Sequence, residues 1–318
     1  MSEANPPVDR LPRWVLAVGP IVILGTVLAV LFLTSPFGNV DAMAEAGTLE
    51  VLWMLTIIGA IAGIVPVVIG MLWFPFIRSL NPRYLHAFLA LSAGVLAFIA
   101  FEMSEEIVDH GAEMNPVTVG GFEASNMAVA AAVALVGIGG TFLVMYVVSQ
   151  WRQRKVSSSE KSGLQIAYLV ALALGLHSIG EGLGIGVAFI DGDATLVTLL
   201  VLGFVLHNVM EGPTVVAAVA RDRATPPLRH FAAMGLIAGG PVILGGWIGS
   251  LATSSLLAVL FYAIAVGAIL QVLIEIADLI RFDAQALVTR LNATTFVIGV
   301  GLMFLLEDVI VEGWLLPA

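Results

Sequence analysis

The stretch "LQIAYLVALALGLHSIGEGLGIGVAFI", residues 164–190, is an apolar run with a His and a Glu near its centre. A helix rises about 1.5 Å per residue, so a run of this length crosses the roughly 30 Å hydrocarbon layer of a bilayer. The next run, "TLVTLLVLGFVLHNVMEGPTVVAAV", residues 195–219, repeats the arrangement. In "HSIGEG" (177–182) and "HNVMEG" (207–212) the His and Glu are four residues apart and a Gly follows. Residues at i and i+4 share a helix face. His177 therefore points with Glu181, and His207 with Glu211.

Apolar runs recur along the rest of the chain. The sequence is 59% hydrophobic and 11% charged, against about 25% charged in an ordinary soluble domain. Nine helical spans are expected, near 14–34, 48–74, 84–105, 125–150, 164–190, 195–219, 229–251, 255–280 and 289–312. The first is read as a retained helix, because "LTSPFGNV" after it is a poor cleavage site for a signal peptide. There is no cysteine, which removes disulfide and thiolate chemistry, and the formal charge of −10 argues against a nucleic-acid partner.

The 13 Lys and Arg residues fall at alternate connections: Arg10 and Arg13; Arg78 and Arg83; Arg152, Arg154, Lys155 and Lys161; Arg221, Arg223 and Arg229; Arg281 and Arg290. Basic connections stay cytoplasmic. The expectation is a multi-pass protein of the plasma membrane with its N-terminus inside and its C-terminus outside. The opposite face is acidic. Glu105, Glu106, Asp109, Glu113 and Glu123 surround His110 in the connection 106–124, and Asp191 and Asp193 sit in the link "DGDAT". This reads either as a solvated acidic face or as a vestibule that attracts cations.

His177 lies about 13 residues from the cytoplasmic end of its run and His207 about 12 from its own, which is nearly one depth at about 1.5 Å per residue. The short link makes the two helices antiparallel neighbours, so the four side chains meet near the midplane. Ionisable groups there are costly and mark function by default. Two carboxylates side by side need a cation between them or a shared proton. Imidazole with carboxylate suits divalent ions such as Zn²⁺, Fe²⁺ or Mn²⁺. One dication against two carboxylates sums to zero charge, which favours a single ion. Pro213 and the glycines of 175–186 read as close helix packing and as a broken-helix feature of transporter sites.

These residues resemble the ZIP (Zrt-, Irt-like protein) family of divalent-metal transporters. "LHSIGEGLGIGVAFIDGD" is similar to that family's HNxPEG-containing helix and "LHNVMEGPTVVAAVARD" to the helix after it; "SAGVLAFIAFEM" (92–103) is similar to an earlier segment. The resemblance covers roughly 48–312. It implies an all-α fold: a polytopic membrane bundle with a 3+2+3 core of eight transmembrane helices. Residues 1–47 are then a tail with an extra N-terminal helix, and 48–318 the transport domain. It carries the metal ligands onto His177, Glu181, His207 and Glu211. Ser178 stands where Asn is usual, Gly180 and Met210 replace a Pro, and Gly240 precedes Pro241 where the family often has a Glu. The second metal set of binuclear members is thus reduced to Ser178 and Asn208 plus the shared carboxylates.

Glu102, Gln271, Glu275 and Asp278 are candidates for additional ligands or for a cation path. The function expected is inward movement of a divalent cation, with zinc the first candidate and iron, manganese or cadmium the others. No catalytic residue and no organic cofactor are expected. The partners are the metal ions and the lipid bilayer, with a homodimer as the oligomer to test. The alternative is an intramembrane metal-dependent hydrolase in which bound Zn²⁺ activates water, although HExxH is absent.

Overall fold

Each of the nine expected spans is helical. The computed structural model describes residues 12–34, 37, 39–77, 82–114, 117–119, 122–157, 163–220, 226–284 and 287–311. Helix α1 is Arg13–Thr34, followed by a short α2, Val40–Ala44. The second span is α3 (Thr48–Gly59), a π turn (Ala60–Ile64) and α4 (Val65–Met71), with a short α5, Phe74–Ile77, after it. Then come α6 (Pro82–Glu113), a hairpin of β1 (Val117–Val119) and β2 (Phe122–Ala124), and α7 (Asn126–Ser157). The central pair is α8 (Gly163–Ile190) and α9 (Ala194–Ala220). Last are α10 (Leu228–Gly239), α11 (Pro241–Gly249), α12 (Ser255–Ala284) and α13 (Arg290–Val311). Among the described residues, seven of the spans are long and apolar enough to cross a membrane. The protein is a polytopic helical membrane bundle.

Two departures from the expected spans follow from proline, which cannot donate to the carbonyl four residues back. Pro66 leaves the Ala62 carbonyl free, and the backbone widens into the π turn just before it. Pro241 leaves the Ile237 carbonyl free, and the expected helix 229–251 divides there into α10 and α11. A third departure concerns the acidic connection 106–124. Glu105, Glu106, Asp109, His110 and Glu113 are not in a loop, because α6 continues through them to Glu113. No proline interrupts their chain before Pro116, and the helix tolerates the single Gly111.

The link between α8 and α9 turns at Gly192, whose φ of 75° is the left-handed conformation that glycine adopts without strain. Asp193 then caps α9, its Oδ1 accepting from the Leu196 N–H at 2.8 Å. This tight turn fixes α8 and α9 as antiparallel neighbours. Helix α9 is the centre of the bundle: 83% of its apolar stretch is buried, against 17% for α1 and α7.

The closest approaches do not isolate the central pair. Gly182 and Gly186 of α8 interleave with Gly245 and Gly249 of α11, so close that a Cβ on any of the four would strike the facing backbone. Such small residues spaced by four let membrane helices approach nearly to backbone contact. Gly70 of α4 meets Gly212 and Pro213 of α9 in the same way, and Gly175 of α8 receives the freed Ile237 carbonyl. A second group is equally close within itself: Gly94 and Gly299 join α6 to α13, and Gly267 joins α12 to α7. Between the groups the glycines of α8 and α9 meet mostly side chains, as where Gly184 faces Met103 and Gly203 faces Ile99.

The described arginines at the expected basic ends, Arg83, Arg154, Arg229, Arg281 and Arg290, are all exposed. Arg10, Arg78, Lys161, Arg221 and Arg223 lie outside the described residues, as do the side chains of Arg13, Arg152, Lys155, Glu307 and Asp308.

Candidate metal centre

The i, i+4 spacing and the Gly192 turn together deliver four ionisable side chains to one point. Ligand atoms of His177, Glu181, His207 and Glu211 all lie within 4.8 Å of one another. The residues are 4%, 2%, 1% and 5% exposed, so bulk water does not solvate their charge. Glu211 Oε1 accepts from His177 Nε2 at 2.7 Å and from His207 Nε2 at 3.0 Å, and His207 Nε2 is 3.7 Å from Glu181 Oε1. Ligands about 2.0–2.1 Å from a tetrahedral Zn²⁺ stand roughly 3.3 Å apart. The observed separations bracket that value.

The polar accounting also favours a cation. Glu181 Oε1 and Glu211 Oε2 are buried and have no hydrogen-bond partner among the described residues. Buried polar atoms without partners are rare and costly, and an ion is one of the few things that satisfies a carboxylate oxygen at such a place.

Two further contacts orient the cluster. Ser92 of α6 is buried, and its Oγ lies 2.7 Å from His207 Nδ1. A ligating imidazole needs a partner on its other nitrogen to fix tautomer and orientation. The hydroxyl serves in either state, donating to Nδ1 or accepting from it. Asn208, on the next position of α9, donates its amide to Glu181 Oε2 at 2.9 Å and to the Ala62 carbonyl at 2.9 Å. Both acceptors are oxygens, so the amide orientation is forced. The carbonyl is the one Pro66 leaves free in the π turn; a helix irregularity on α3–α4 thus holds a carboxylate on α8 through a side chain on α9.

The remaining sequence candidates separate. Ser178 is buried, but its hydroxyl donates to the Leu174 carbonyl of its own helix at 3.0 Å. Asn208 Oδ1 is buried and has no partner among the described residues. Gln271 donates to Glu275 Oε2 at 3.2 Å, one turn along α12. Asp278 is exposed, with Arg281 4.0 Å away. Glu102 is half-buried on α6, outside the four-residue cluster. Reading the sequence missed Ser92 and the Pro66–Ala62 carbonyl as parts of the site; a serine and a proline in apolar runs were the only signals available.

A cavity of about 50 Å³ adjoins the cluster, lined by His177, His207 and Glu211 with Leu174, Met210 and Glu275. That is room for a few water molecules. Leu174 and Val170 of α8 precede His177, and Thr214 of α9 follows Glu211, so the cavity extends from the cluster toward the basic ends of both helices. On the other side Ile99, Met103, Ile185, Leu200 and Phe204 are fully buried and belong to one continuous apolar core. The cluster is therefore reached by a small, mostly apolar-walled cavity from one end and closed by packed hydrocarbon at the other.

No protein-family model matches the chain, and none of the curated proteins matches it.

Proposed function

We propose that this protein is a transporter of the ZIP type that moves a divalent cation, zinc foremost, across the plasma membrane to the cytoplasm. The observation that carries the proposal is the buried His177–Glu181–His207–Glu211 cluster with space on its basic side and an apolar plug on its acidic side. Four fixed ligands replace the hydration shell of the ion, and two carboxylates neutralise its charge. A site that adjoins a cavity on one side only fits alternating access, with the present state facing the cytoplasm.

The helices divide as α3–α4, α6 and α7, then α8 and α9, then α10–α11, α12 and α13, which is the proposed 3+2+3 order with α1 as an addition. The backbone-close glycine contacts support a moving body larger than the central pair. It comprises α3, α4, α8, α9, α10 and α11, sliding against α6, α7, α12 and α13 over side-chain contacts. Both cluster glutamates converge on the two imidazoles, which supports ion ligation rather than service as the free base of a hydrolase.

The test is zinc or cadmium uptake by proteoliposomes of the purified chain, compared with His177→Ala/Glu211→Ala. Uptake by the native chain and none by the variant is expected; equal uptake by the two excludes the assignment. Orientation is checked separately in this cysteine-free chain. Ser254→Cys, between α11 and α12, reacts with an impermeant reagent from outside the cell, and labelling only after permeabilisation reverses the proposed topology.

A further inference from the structure

Helices α12 and α13 both pack along α6 but scarcely against each other. The gap between them is a groove of about 420 Å³ with α6 as its floor. Residues at helical spacing line it: Ala90, Ala93 and Ala97 on α6, Ile276 and Ile280 on α12, and Ala293 on α13. Alanine on the floor leaves the depth, since its side chain ends at Cβ and a larger one would fill the space.

One end of the groove is charged. Arg281 follows Ile280 on α12, and α13 starts at Arg290, two residues before Asn292, which also lines the groove. Arg83 stands in the first turn of α6, seven residues before Ala90. Each of the three helices thus brings an arginine to the same end, and all three arginines are exposed. The N-termini of α6 and α13 add the positive ends of their dipoles there. Asn292 holds the lip: its Nδ2 donates to the Leu287 carbonyl at 3.1 Å and its backbone N–H to Thr289 Oγ1 at 3.1 Å. Between these anchors Val288 is 78% exposed, an apolar side chain beside the arginines. Against the positive charge stand Asp278, 4.0 Å from Arg281, and Asp283, whose side chain lies outside the described residues.

We propose that this groove holds one acyl chain of an anionic phospholipid, with the phosphate of its headgroup on Arg281 and Arg290 and Arg83 beneath them. An apolar space stays dry, and what surrounds a bundle of membrane spans is lipid. From Ile280 to Leu273 the groove runs about 10 Å by helical rise, which takes the part of a chain nearest its headgroup. Arginine matches phosphate geometry, and basic pockets between membrane helices recognise phosphate-bearing headgroups. The same arginines repel the ammonium of a zwitterionic lipid, so charge selects the anionic one.

None of the three helices carries His177, Glu181, His207 or Glu211. Lipid binding at this place does not depend on the cluster holding a metal or on transport, and its test stands apart from theirs.

The experiment is native mass spectrometry of the purified, delipidated chain titrated with dioleoyl phosphatidylglycerol or dioleoyl phosphatidylcholine, which share their acyl chains. One phosphatidylglycerol is retained per chain, at least about tenfold more tightly than phosphatidylcholine, from about fivefold for each arginine near a membrane anion. Arg281→Gln/Arg290→Gln removes that preference and leaves phosphatidylcholine binding unchanged. Ala293→Trp fills the groove from an exposed position and weakens both lipids; Val297→Trp replaces it if thermal unfolding shows the first variant misfolded. Arg154→Gln, at the basic end of α7 and away from the groove, changes neither. Equal retention of the two lipids by the native chain overturns the proposal. So does phosphatidylglycerol binding by Arg281→Gln/Arg290→Gln or by the tryptophan variant that is as tight as by Arg154→Gln. Full displacement of the lipid by equimolar glycerol phosphate also overturns it, because the groove would then hold no chain.

Discussion

Two buried serines lie close to the His177–Glu181–His207–Glu211 cluster, and the structure assigns them opposite roles. Ser92 Oγ is 2.7 Å from His207 Nδ1, whereas Ser178 Oγ is spent on the Leu174 carbonyl at 3.0 Å. Ser92→Ala leaves a buried ring nitrogen with no partner and lets the imidazole rotate. Loss of an outer partner of a ligating histidine weakens metal binding by about 10–100-fold, which is about 1.4–2.8 kcal/mol at 1.4 kcal/mol per tenfold. Ser178→Ala removes a helix back-bond and is expected to change affinity by less than about twofold, because its hydroxyl is turned onto the Leu174 carbonyl of its own helix rather than onto the cluster. Competition titrations with a fluorescent zinc chelator measure both variants against the native chain. If Ser92→Ala binds zinc as tightly as Ser178→Ala, the serine does not position His207, and the second-nitrogen argument is wrong.

Glu211 Oε1 is the acceptor shared by both histidines, so Glu211→Ala is expected to weaken binding at least about hundredfold, about 2.8 kcal/mol; an effect below tenfold in the same titration would show that it is not a ligand. Gly182→Ala drives a Cβ into the α11 backbone and should cost about 1–3 kcal/mol, as overpacking does, while Gly139→Ala has open space around it and should leave the melting temperature unchanged or higher. Burial raises the Glu106 carboxyl to about 7, and the hydrogen bond to Asp191 raises His110 above its usual 6.5. The folded chain thus binds more protons than the unfolded chain at Glu106 between pH 4.5 and about 7, and at His110 above 6.5. Metal-free stability contributed by these groups is therefore fully present in acid and lost as pH rises through that window. Melting curves between pH 4.5 and 8 should show a smaller decline for Glu106→Gln than for the native chain, and parallel declines would contradict the assigned shift.

The sequence alone determined that this chain is a membrane bundle, because hydrocarbon length and helical rise admit few readings of nine apolar runs. It also determined the inner cluster. Pairs at i and i+4 on two antiparallel helices joined by "DGDAT" can meet only at one depth, and His177, Glu181, His207 and Glu211 do meet. Local spacing carried that information.

Contacts between residues far apart in the chain were decided only by the tertiary structure. Nothing in the spacing says that Ser92 reaches His207, that Pro66 frees a carbonyl for Asn208, or that Ser178 turns back onto its own helix. The acidic end shows the same limit from another side. His110 amid carboxylates was legible, but placing Glu106 and His110 on a helix face required knowing that α6 runs on to Glu113. Bringing Asp191 and Tyr262 to His110 required the packing of three elements. Helix periodicity fixes which side chains share a face; which faces meet depends on small residues such as Gly182 and Gly245 that let two particular backbones approach, and that choice is made by the whole bundle at once.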